Sequence, residues 1–302
     1  MNFLSRLIKN PSKIITGLLK RTKNLWPDNQ YIRLLYRFTM GESLDLRNPL
    51  KFTEKIQWLK LYNRRPEYTK MVDKDAVKGY VASKIGEKHI IPTIGIWDTV
   101  ENIEWEKLPE KFVLKTTHGG GGGGVIVCNK ENLNREEIQL KLKKALKGDI
   151  YKGYREWPYK NVPHRIIAEK YLSPYPNEEL TDYKWYCFNG IPKYCQVIRD
   201  RHTQETIDFY DTDWNLMEFV GLNPNVKNGK TPVSKPKNLI EQIRIATELS
   251  KNIPFLRVDL YEVNDKVYFG ELTFFPASGL GKFTPKEWDI KLGDLIDLKQ
   301  VN

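Results

Sequence analysis

The sequence predicts an α+β protein made of two α+β subdomains, preceded by a short, mainly helical N-terminal region. Two pairs of strand-like runs are joined by turn-forming residues, one pair by the six glycines Gly119–Gly124 and the other by Asn189-Gly190. Segments with apolar residues at helical spacing surround these hairpins. The 302 residues, 40% hydrophobic and 29% charged, are typical of a globular chain long enough for subdomains. We place the three regions at 1–70, 71–172 and 173–302.

The N-terminal region contains two helical stretches. Residues 1–25 carry apolar side chains at helical spacing, interrupted by Pro11, with lysines and arginines on the other faces. This pattern predicts either an interfacial helix attracted to acidic lipid or a helix docked on the core with a solvated basic face. Residues 29–65 are also mainly helical, and we assign their apolar stripes to the core. The stripes are Tyr31, Leu34, Leu35 and Phe38, and then Phe52, Ile56 and Leu59.

A further helix is predicted within residues 71–86, which carry an apolar face and end at Gly86. Asp73 is its predicted N-cap. Lys74 follows at once, and a lysine at a helix start is electrostatically unfavourable unless an anion binds there. The alternative interpretation of Lys74 is a solvated surface lysine.

The glycine run is the most unusual segment of the chain. It follows a predicted strand that ends near Lys115 and precedes the strand-like run Val125–Cys128. Glycines expose N–H groups that can close over an anion, with Lys115 as a point charge at the base of the loop. A dinucleotide-binding loop would run into a helix, a P-loop would continue with Gly-Lys-Ser/Thr, and a kinase would carry HRD and DFG tripeptides. None of these fits, and we interpret the run as a nucleotide-phosphate lid, with a structural or other ligand-gating loop as the alternative.

The chain then continues with alternating helices and strands. Asn189-Gly190 is a strong signal for a type I′ hairpin turn. Residues 221–236 are predicted to form a polar loop. The other predicted elements are a helix at Arg135–Lys147, an aromatic segment at Tyr151–Tyr159, strands at Arg165–Leu172, Asp182–Phe188 and Ile191–Arg199, and a helix at Asn238–Asn252.

A second hairpin is predicted near the C-terminus. Its strands are Phe255–Val263 and Val267–Phe275, joined by a short turn. We expect Val263 to pair with Val267, because the apolar residues of both strands then share the face that points to the core.

This register predicts a cation site. Asp259 lies opposite Glu271, Arg257 lies opposite Thr273, and all four side chains share one face of the hairpin. Two facing carboxylates repel unless a cation lies between them, and oxygen-only ligands favour Mg²⁺. The alternative is a solvent-facing acidic pair neutralised by Arg257. A lysine and glycine phosphate clamp together with a metal-binding carboxylate pair indicates ATP.

Composition limits the partners and the compartment. The net charge of +11 and the isoelectric point near 9.3 favour an anionic partner. Three cysteines without CxxC spacing are typical of reduced thiols, and four scattered histidines form no zinc signature. The sequence contains no apolar run near the ~20 residues of a membrane span and no signal-peptide pattern. We therefore expect a cytoplasmic protein, at the inner face of the membrane if residues 1–25 bind lipid.

Five motifs in a common order carry a family resemblance. They are VDKDAVKGY, FVLKTTHGGGGGG, EKYL, DYKWYCFNG, and RVDL followed by ELTFFPASG. In order and spacing they resemble the ATP-grasp superfamily, and more narrowly its TupA-like branch, which is associated with teichuronopeptide and other surface-polysaccharide biosynthesis. The resemblance covers about Tyr68 to Phe283. It implies an ATP-grasp fold, in which the two subdomains sandwich ATP.

The resemblance implies a nucleotide site. Lys74 and Lys115 would contact the ATP phosphates under the glycine lid. The segment Glu169–Leu172 would link the two halves, with its main chain reading the adenine edge and a carboxylate reaching the ribose. The implied cofactor-binding residues are Lys74, Lys115, Thr117, His118, Gly119, Gly120, Gly121, Gly122, Glu169, Lys170, Tyr171 and Leu172.

The implied cofactors are ATP and Mg²⁺, with Mn²⁺ as a substitute metal. Asp259, Glu271 and Thr273 match the family's metal positions. Many ATP-grasp ligases have asparagine where Thr273 stands, but a hydroxyl can still bind Mg²⁺ or its water. A second departure is the N-terminal region, which is shorter and more helical than the usual substrate-binding domain.

The expected catalytic residues are cationic. Arg257 resembles an arginine that stabilises the reacting oxygens, and Lys115 would stabilise the transferring phosphoryl group. Lys184, Arg199 and Arg201 lie on or next to predicted strands and are candidates for phosphate or substrate-carboxylate contacts. Their alternative is an ordinary surface charge.

The function expected from this resemblance is an ATP-dependent carboxylate–amine ligase. Its carboxylate substrate would be anionic, for example a uronate- or glutamate-containing polymer, and its co-substrate an amine. Kinase-like phosphoryl transfer is an alternative within the family. A glycosyltransferase is a second alternative, although Asp211-Thr212-Asp213, a candidate DxD tripeptide, is predicted to be a turn before Trp214. The third is a non-catalytic membrane- or nucleic-acid-binding module, and we expect no nucleic-acid partner.

Overall fold

The computed structural model describes residues 11–119, 124–172, 180–199, 204–223 and 226–301. Helices and antiparallel strands occur together, which agrees with the predicted α+β class. The helices are α1 (Pro11–Arg21), α2 (Asp28–Met40), α3 (Phe52–Tyr62), α4 (Glu67–Val72), α5 (Ala76–Ile85), α6 (Arg135–Leu146), α7 (Ile150–Tyr154), α8 (Leu239–Ser250) and α9 (Glu287–Asp294).

The strands confirm most of the predicted hairpins. They are β1 (Thr93–Trp97), β2 (Lys111–Thr116), β3 (Val125–Asn129), β4 (Ile166–Lys170), β5 (Asp182–Phe188), β6 (Ile191–Arg199), β7 (Thr206–Asp211), β8 (Val220–Gly221), β9 (Phe255–Val263), β10 (Lys266–Thr273) and β11 (Phe283–Thr284). Both residues of the Asn189-Gly190 turn have positive φ angles, 50° and 81°, as a type I′ turn requires. Strands β1 and β7 were not predicted.

These strands form three antiparallel sheets. A four-stranded sheet has the order β1-β4-β2-β3, and a five-stranded sheet has the order β10-β9-β5-β6-β7. The short strands β11 and β8 pair separately. Tight turns join β5 to β6 and β9 to β10, whereas helices lie between β3 and β4 (α6 and α7) and between β7 and β9 (α8).

Two hydrophobic cores stabilise the sheets. The smaller core joins the four-stranded sheet to α6 through residues such as Phe112, Leu114 and Leu142. The larger core joins the five-stranded sheet to α8, α9 and the helices α3 to α5, which contribute Phe52 and Val81. Helix α5 therefore packs with the second sheet although it precedes the first in sequence. The subdomain boundaries at residues 70 and 172 stay a prediction.

The predicted helix at residues 71–86 is interrupted at its start. Helix α4 ends at Val72 and α5 begins at Ala76. The Asp73 carboxylate accepts hydrogen bonds from the main-chain N–H groups of Asp75 (2.9 Å) and Ala76 (3.4 Å). The N-cap of α5 is nevertheless Asp75, so the predicted N-cap at Asp73 is two residues too early, and Lys74 lies in the turn that precedes the helix.

The C-terminal hairpin reaches its predicted register by a different route. Val263 pairs with Lys266 and not with Val267, so the predicted three-residue turn is wrong. Asn264 and Asp265 form a two-residue turn with φ angles of 51° and 58°. A bulge at Gly270 then adds one residue to β10, and this restores the predicted pairing from Glu271 onward.

The N-terminal helices are mostly core elements, as predicted. Tyr31 and Leu35 of α2 and the apolar stripe of α3 are buried, whereas Leu34 and Phe38 are only partly buried. Helix α1 packs on α2 through Leu19 but exposes Ile15 and Leu18. Among the described residues, no helix is both long and apolar enough to cross a bilayer.

Candidate active site

The candidate active site lies between the two large sheets, where the turn before α5 meets both. Strand alternation places Lys115 of β2 and Glu169 of β4 on the face of the first sheet that points away from its core. Lys184 of β5 and Asp259 of β9 are directly paired in the second sheet. The structure therefore brings the predicted phosphate and metal residues to one cleft.

On the first sheet, the carboxylate of Glu169 forms ion pairs with two lysines. Its carboxylate contacts Lys115 Nζ at 2.5 Å and Lys78 Nζ at 2.6 Å, and its side chain is only 7% exposed. Burial raises the pKa of Glu169, but the charges of Lys115 and Lys78 outweigh it and keep the pKa below its usual value. Lys78 was not predicted, because a lysine in the middle of α5 has no sequence signal that separates it from a surface residue.

Lys74 connects the two sides of the cleft. Its Nζ donates to the carbonyl oxygen of Gly119 at 2.5 Å and lies 3.5 Å from the carboxylate of Glu271. The main-chain N–H of Lys74 donates to the carbonyl of Thr117. Lys74, which the sequence predicts to be unfavourable at a helix start, thus lies where the first glycine of the run approaches the second sheet.

On the second sheet, Arg257 is the centre of the predicted metal cluster. Its guanidinium binds both carboxylate oxygens of Asp259 at 2.7 Å and contacts Glu271 at 3.2 Å and Thr273 Oγ1 at 3.0 Å. These contacts confirm that the four side chains share one face. Burial lowers the pKa of Arg257, but the Asp259 carboxylate outweighs it and raises the pKa above its usual value.

The two carboxylates of this cluster differ in exposure. The Asp259 side chain is 2% exposed and also pairs with Lys184, whereas the Glu271 side chain is 34% exposed. Burial raises the pKa of Glu271, but Lys74, Arg257 and other cations outweigh it and lower the pKa to about 2. Asp259 is therefore not part of a solvent-facing acidic pair, although Arg257 does neutralise it.

The residues present fit a divalent cation that is shared with a phosphate ligand. Asp259 and Glu271 face each other across β9 and β10, and Thr273 adds a hydroxyl on the same face. Among the described residues, no group of three or more acidic, histidine or cysteine side chains forms a complete metal cage. Two carboxylates with open positions suit Mg²⁺, which commonly binds through one or two carboxylates together with substrate phosphates.

A pocket opens beside the lysines and supplies an apolar wall. It is lined by Lys74, Lys78, Lys115 and Glu169, together with Ile90, Ile91, Phe269 and Gly270. A Cβ atom at Gly270 would lie 2.9 Å from the Tyr261 ring and 3.1 Å from the Asp259 carbonyl, so the bulge needs glycine here. The apolar residues were not predicted as site residues, since at sequence level they are indistinguishable from core residues.

The other predicted nucleotide residues have varied surroundings. The buried Thr117 hydroxyl donates to the Pro163 carbonyl at 2.6 Å and accepts from the Arg165 N–H at 3.0 Å. The Lys170 N–H donates to the Pro92 carbonyl. Tyr171 is partly buried and Leu172 is buried next to Ile91. Gly119 is described, whereas Gly120, Gly121 and Gly122 lie outside the described residues.

His118 is buried and stacks on His164, with ring centroids 3.6 Å apart and planes within 4°. Burial lowers the pKa of His118 to about 4, and the charges of His164 and Lys74 act in the same direction. His118 is therefore neutral near pH 7 and adds no charge to the phosphate site.

Two predicted features lie elsewhere. Arg199 pairs with Asp208 at 3.2 Å and with the Thr231 carbonyl, on the opposite face of the sheet from Lys184. It does not join the cluster of Arg257. The DxD tripeptide forms a turn, in which the Asp211 carboxylate accepts from the N–H groups of Asp213 and Asn215. Arg201 lies outside the described residues.

Another buried cation, which was not predicted, lies behind the predicted metal cluster. Lys60 of α3 is fully buried and donates to Gln57 Oε1, the Tyr154 carbonyl and the Ser278 carbonyl, at 2.7–3.1 Å. Burial lowers the pKa of Lys60 to about 8, and the buried carboxylate of Glu156 opposes this shift. The Ser278 hydroxyl in turn donates to Glu156 at 2.5 Å.

Comparisons with known proteins give a family match over most of the chain. The family model described as TupA-like ATP-grasp matches residues 54–297. No curated protein matches the chain.

Similar solved structures include ATP-grasp ligases at low identity. D-alanine–D-alanine ligase from Bacillus anthracis complexed with ATP is 17% identical, with 75% of this chain and 63% of that chain covered and a TM-score of 0.42. The Helicobacter pylori D-alanine–D-alanine ligase is 15% identical, with 82% and 70% covered and a TM-score of 0.43. The ATP-grasp ligase PsnB with a precursor variant, Mg and ADP is 11% identical, with 82% and 66% covered and a TM-score of 0.42. The chain thus spans about two thirds of the length of these proteins.

Proposed function

The chain belongs to the TupA-like ATP-grasp family, and from this premise we propose that it is an ATP- and Mg²⁺-dependent ligase that joins a carboxylate to an amine. The observation that supports this most is the single cleft formed by the lysines of the first sheet and the carboxylates of the second. Lys74 spans that cleft between Gly119 and Glu271. Such a cleft suits a ligand that carries both phosphates and a divalent cation.

The nucleotide is assigned to the pocket beside the lysines. Lys74 and Lys115 bind its phosphates, and the glycine run covers them. The apolar residues Ile90, Ile91 and Phe269 give the base a dry surface, and Glu169 reaches the ribose. Lys78 holds Glu169 in place and adds positive charge to the phosphate site.

The metal is assigned to Asp259, Glu271 and Thr273. When bound, Mg²⁺ neutralises charge on the transferring phosphoryl group. Arg257 is anchored on Asp259 and contacts Glu271 and Thr273 on the same face, where its guanidinium is proposed to stabilise the reacting oxygens. Lys184 adds a second cation at this position.

The reaction proceeds in two displacements. A carboxylate oxygen of the first substrate attacks the γ-phosphorus of ATP, and ADP leaves, which produces an acylphosphate. The amine of the second substrate then attacks the acyl carbon, phosphate leaves, and the nitrogen loses a proton to solvent. No enzyme nucleophile is required, which is consistent with the three buried, free cysteines of the chain.

The first substrate is proposed to be anionic. The chain carries a net charge of +11, which attracts a polyanion such as a uronate- or glutamate-containing surface polymer or its precursor. The proposed setting is the cytoplasm, at the inner face of the membrane. Helix α1 supports the membrane part of this proposal, since it exposes Ile15 and Leu18 next to Lys20 and Arg21.

Membrane contact can be tested by co-sedimentation. We expect the full chain to bind vesicles containing anionic lipid and to lose binding when residues 1–25 are removed. Equal sedimentation of both proteins would remove the membrane from the proposal.

Nucleotide specificity is the first test of function. Thermal unfolding is measured with ATP, GTP, a UDP-sugar or no nucleotide, each with and without Mg²⁺. We expect a rise in Tm with Mg²⁺ and ATP that Glu271→Ala abolishes. A rise with the UDP-sugar alone would instead support a glycosyltransferase.

Hydroxylamine provides the test of reaction type. It captures acylphosphates as hydroxamates, so the amine substrate need not be known. We expect hydroxamate from ATP, Mg²⁺, hydroxylamine and one of a set of carboxylates that includes polygalacturonate, glucuronate and polyglutamate. ATP-dependent transfer of phosphate to a hydroxyl group of these compounds, without hydroxamate, would support a kinase.

A further inference from the structure

The ligand-free cleft neutralises its own charges. Glu169 pairs with Lys115 and Lys78, Glu271 pairs with Lys74 and Arg257, and Asp259 pairs with Arg257 and Lys184. If this cleft binds Mg²⁺ and ATP, as the proposed function requires, every ligand must replace an internal ion pair.

Asp259 is the most restricted of these groups. Its Oδ1 atom accepts from Arg257 Nε at 2.7 Å, and its Oδ2 atom accepts from Arg257 at 2.7 Å and also from Lys184 Nζ. The side chain is 2% exposed, so water supplies little of its solvation. A divalent cation that approaches Asp259 therefore meets two cations that already hold both of its oxygens.

Of the two cations, Lys184 is the one that can leave. Arg257 holds both oxygens of Asp259 with its planar guanidinium, and it also binds Glu271 and Thr273. Lys184 is a single ammonium on a flexible chain. It lies 3.2 Å from Asp182, two residues away on β5, so a second carboxylate is already within its reach.

We propose that Lys184 is a built-in counter-cation of Asp259, which must release this carboxylate before a divalent cation can bind. The triphosphate of the nucleotide draws Lys184 away and also supplies the oxygen ligands that the two carboxylates lack. Metal and nucleotide are then taken up together, and free Mg²⁺ alone binds weakly. Lys184 thereby makes metal binding depend on nucleotide binding, in addition to any contact it makes with the transferring phosphate.

The same charges explain why the metal is excluded when no nucleotide is present. The carboxylates Asp259 and Glu271 already have the cations Lys74, Lys184 and Arg257 within ion-pair distance, so the empty cluster has no uncompensated negative charge. A dication therefore gains little Coulomb attraction there. An anionic triphosphate supplies the negative charge that the cation needs. The binding of nucleotide and metal is therefore positively coupled, and by linkage each raises the affinity for the other.

The test uses Mn²⁺ as the probe and the electron paramagnetic resonance signal of free Mn²⁺ as the readout, with no nucleotide present. We expect the wild-type protein to bind Mn²⁺ weakly. Lys184→Met, which keeps the length of the side chain but removes its charge, should bind Mn²⁺ at least tenfold more tightly. Adding Asp259→Asn to Lys184→Met should abolish the gain, which would place the ion at this carboxylate.

Lys78→Met is the matched control, because it removes another cleft lysine whose partner is Glu169. It should leave Mn²⁺ binding unchanged. If Lys184→Met does not fold, as judged by circular dichroism, Lys184→Gln replaces it. Wild-type protein that binds Mn²⁺ tightly without nucleotide, or a Lys184 variant that binds no more tightly than wild type, overturns the proposal.

A separate titration with a non-hydrolysable ATP analogue and Mg²⁺ distinguishes this proposal from the proposed function. If the analogue does not bind, the proposed function fails whatever Mn²⁺ does. If the analogue binds and the contrast between wild type and Lys184→Met is missing, only the role of Lys184 is wrong.

Discussion

Two buried cation clusters lie near the end of β10 at Thr273. Their cations have different kinds of hydrogen-bond partner. In the cleft, Lys184 pairs with Asp259 on the neighbouring strand β9, and Arg257 pairs with Asp259 on its own strand and with Glu271 on β10. Behind it, the ammonium of Lys60 donates all three of its hydrogens to neutral oxygens. The carboxylate of Glu156 raises the pKa of Lys60, but among the described residues Lys60 makes no direct ion pair.

The two clusters differ in whether a ligand can displace their contacts. An ion pair at a cleft can be replaced by a phosphate or a metal, because the ligand supplies the same charge as the partner it displaces. Carbonyl oxygens that belong to three separate segments cannot be replaced in this way. Lys60 therefore acts as a fixed support that ties α3 to the last residue of α7 and to the turn at Pro276–Gly279.

That turn is the element both clusters share. It follows β10, which carries Glu271 and Thr273, and the carbonyls of Ser278 and Gly279 also accept from Gln57 Nε2 at 2.9 and 2.8 Å. The N-terminal helices thus hold the end of β10, which carries two of the proposed metal-binding residues. The N-terminal region therefore supports the turn that follows β10, next to the proposed active site.

The largest expected effect of a substitution is at Lys60. Lys60→Met removes the donor to Gln57 Oε1 and to the Tyr154 carbonyl and takes one of the cations away from the buried Glu156, which we expect to cost about 3–5 kcal/mol of unfolding free energy. Urea unfolding measures it. Lys107→Met, at a lysine that is 77% exposed, is the control and should change stability by less than about 0.5 kcal/mol. A small loss at Lys60 would mean that the support function is wrong.

The cleft carboxylates should differ from each other in the same assay. Asp259→Asn leaves Lys184 and Arg257 without their buried counter-charge and should cost about 3 kcal/mol. Glu271→Gln, at a side chain that is 34% exposed, should cost no more than about 1 kcal/mol. Both should remove the rise in Tm with Mg²⁺ and ATP. Equal losses of stability would show that burial does not separate the two carboxylates.

The pH dependence of the free energy of unfolding should also differ between the wild type and Lys60→Met. The pKa of Lys60 is about 8 in the folded protein, below the 10.5 of an ordinary lysine, so between these values the unfolded chain binds more protons. Stability from this group therefore rises with pH in that window, by up to about 1.4 kcal/mol per pH unit. Unfolding of wild type and Lys60→Met at pH 7, 8, 9 and 10 measures it. Their difference should grow in favour of wild type above pH 8, and a constant difference would contradict the lowered pKa.

Much of this arrangement could be predicted from the sequence, because its signals are local. The strand bounds of β5 and β6, the Asn189-Gly190 turn and the facing pair Asp259–Glu271 all follow from alternation and turn chemistry. The ATP-grasp fold predicted from the motifs is confirmed by the family match. The turn of the C-terminal hairpin was predicted wrongly, and the bulge at Gly270 compensates for that error.

The unpredicted parts depend on contacts between distant segments. Lys60 and Glu156 are 96 positions apart, and nothing around either residue indicates burial of a charge. Lys78 has an ordinary helical sequence around it and becomes a site residue only because β4 brings Glu169 beside it. Arg199, in contrast, was predicted as a site residue from its position on a strand, but the alternation of side chains places it on the other face of the sheet.

The smallest expected effect concerns the backbone of the shared turn. Ala277 and Ser278 have φ angles of 46° and 55°, and a non-glycine residue in this region costs about 1–2 kcal/mol. Ala277→Gly relieves that strain but gives the unfolded chain more freedom, so we expect a net gain of only about 0.5 kcal/mol. Ala82→Gly, within α5, should instead lose about 1 kcal/mol.

If the strain positions Ser278 against Glu156, the gain in stability should be accompanied by a lower rate of hydroxamate formation with unchanged binding of ATP. Ser278 Oγ and the Ser278 carbonyl bind Glu156 and Lys60 respectively, so a freer residue 277 loosens both contacts at once. Nucleotide binding should not change, because Lys74, Lys78 and Lys115 lie on other segments. A stabilised variant with full activity would show that the left-handed turn is tolerated by the fold and has no part in catalysis.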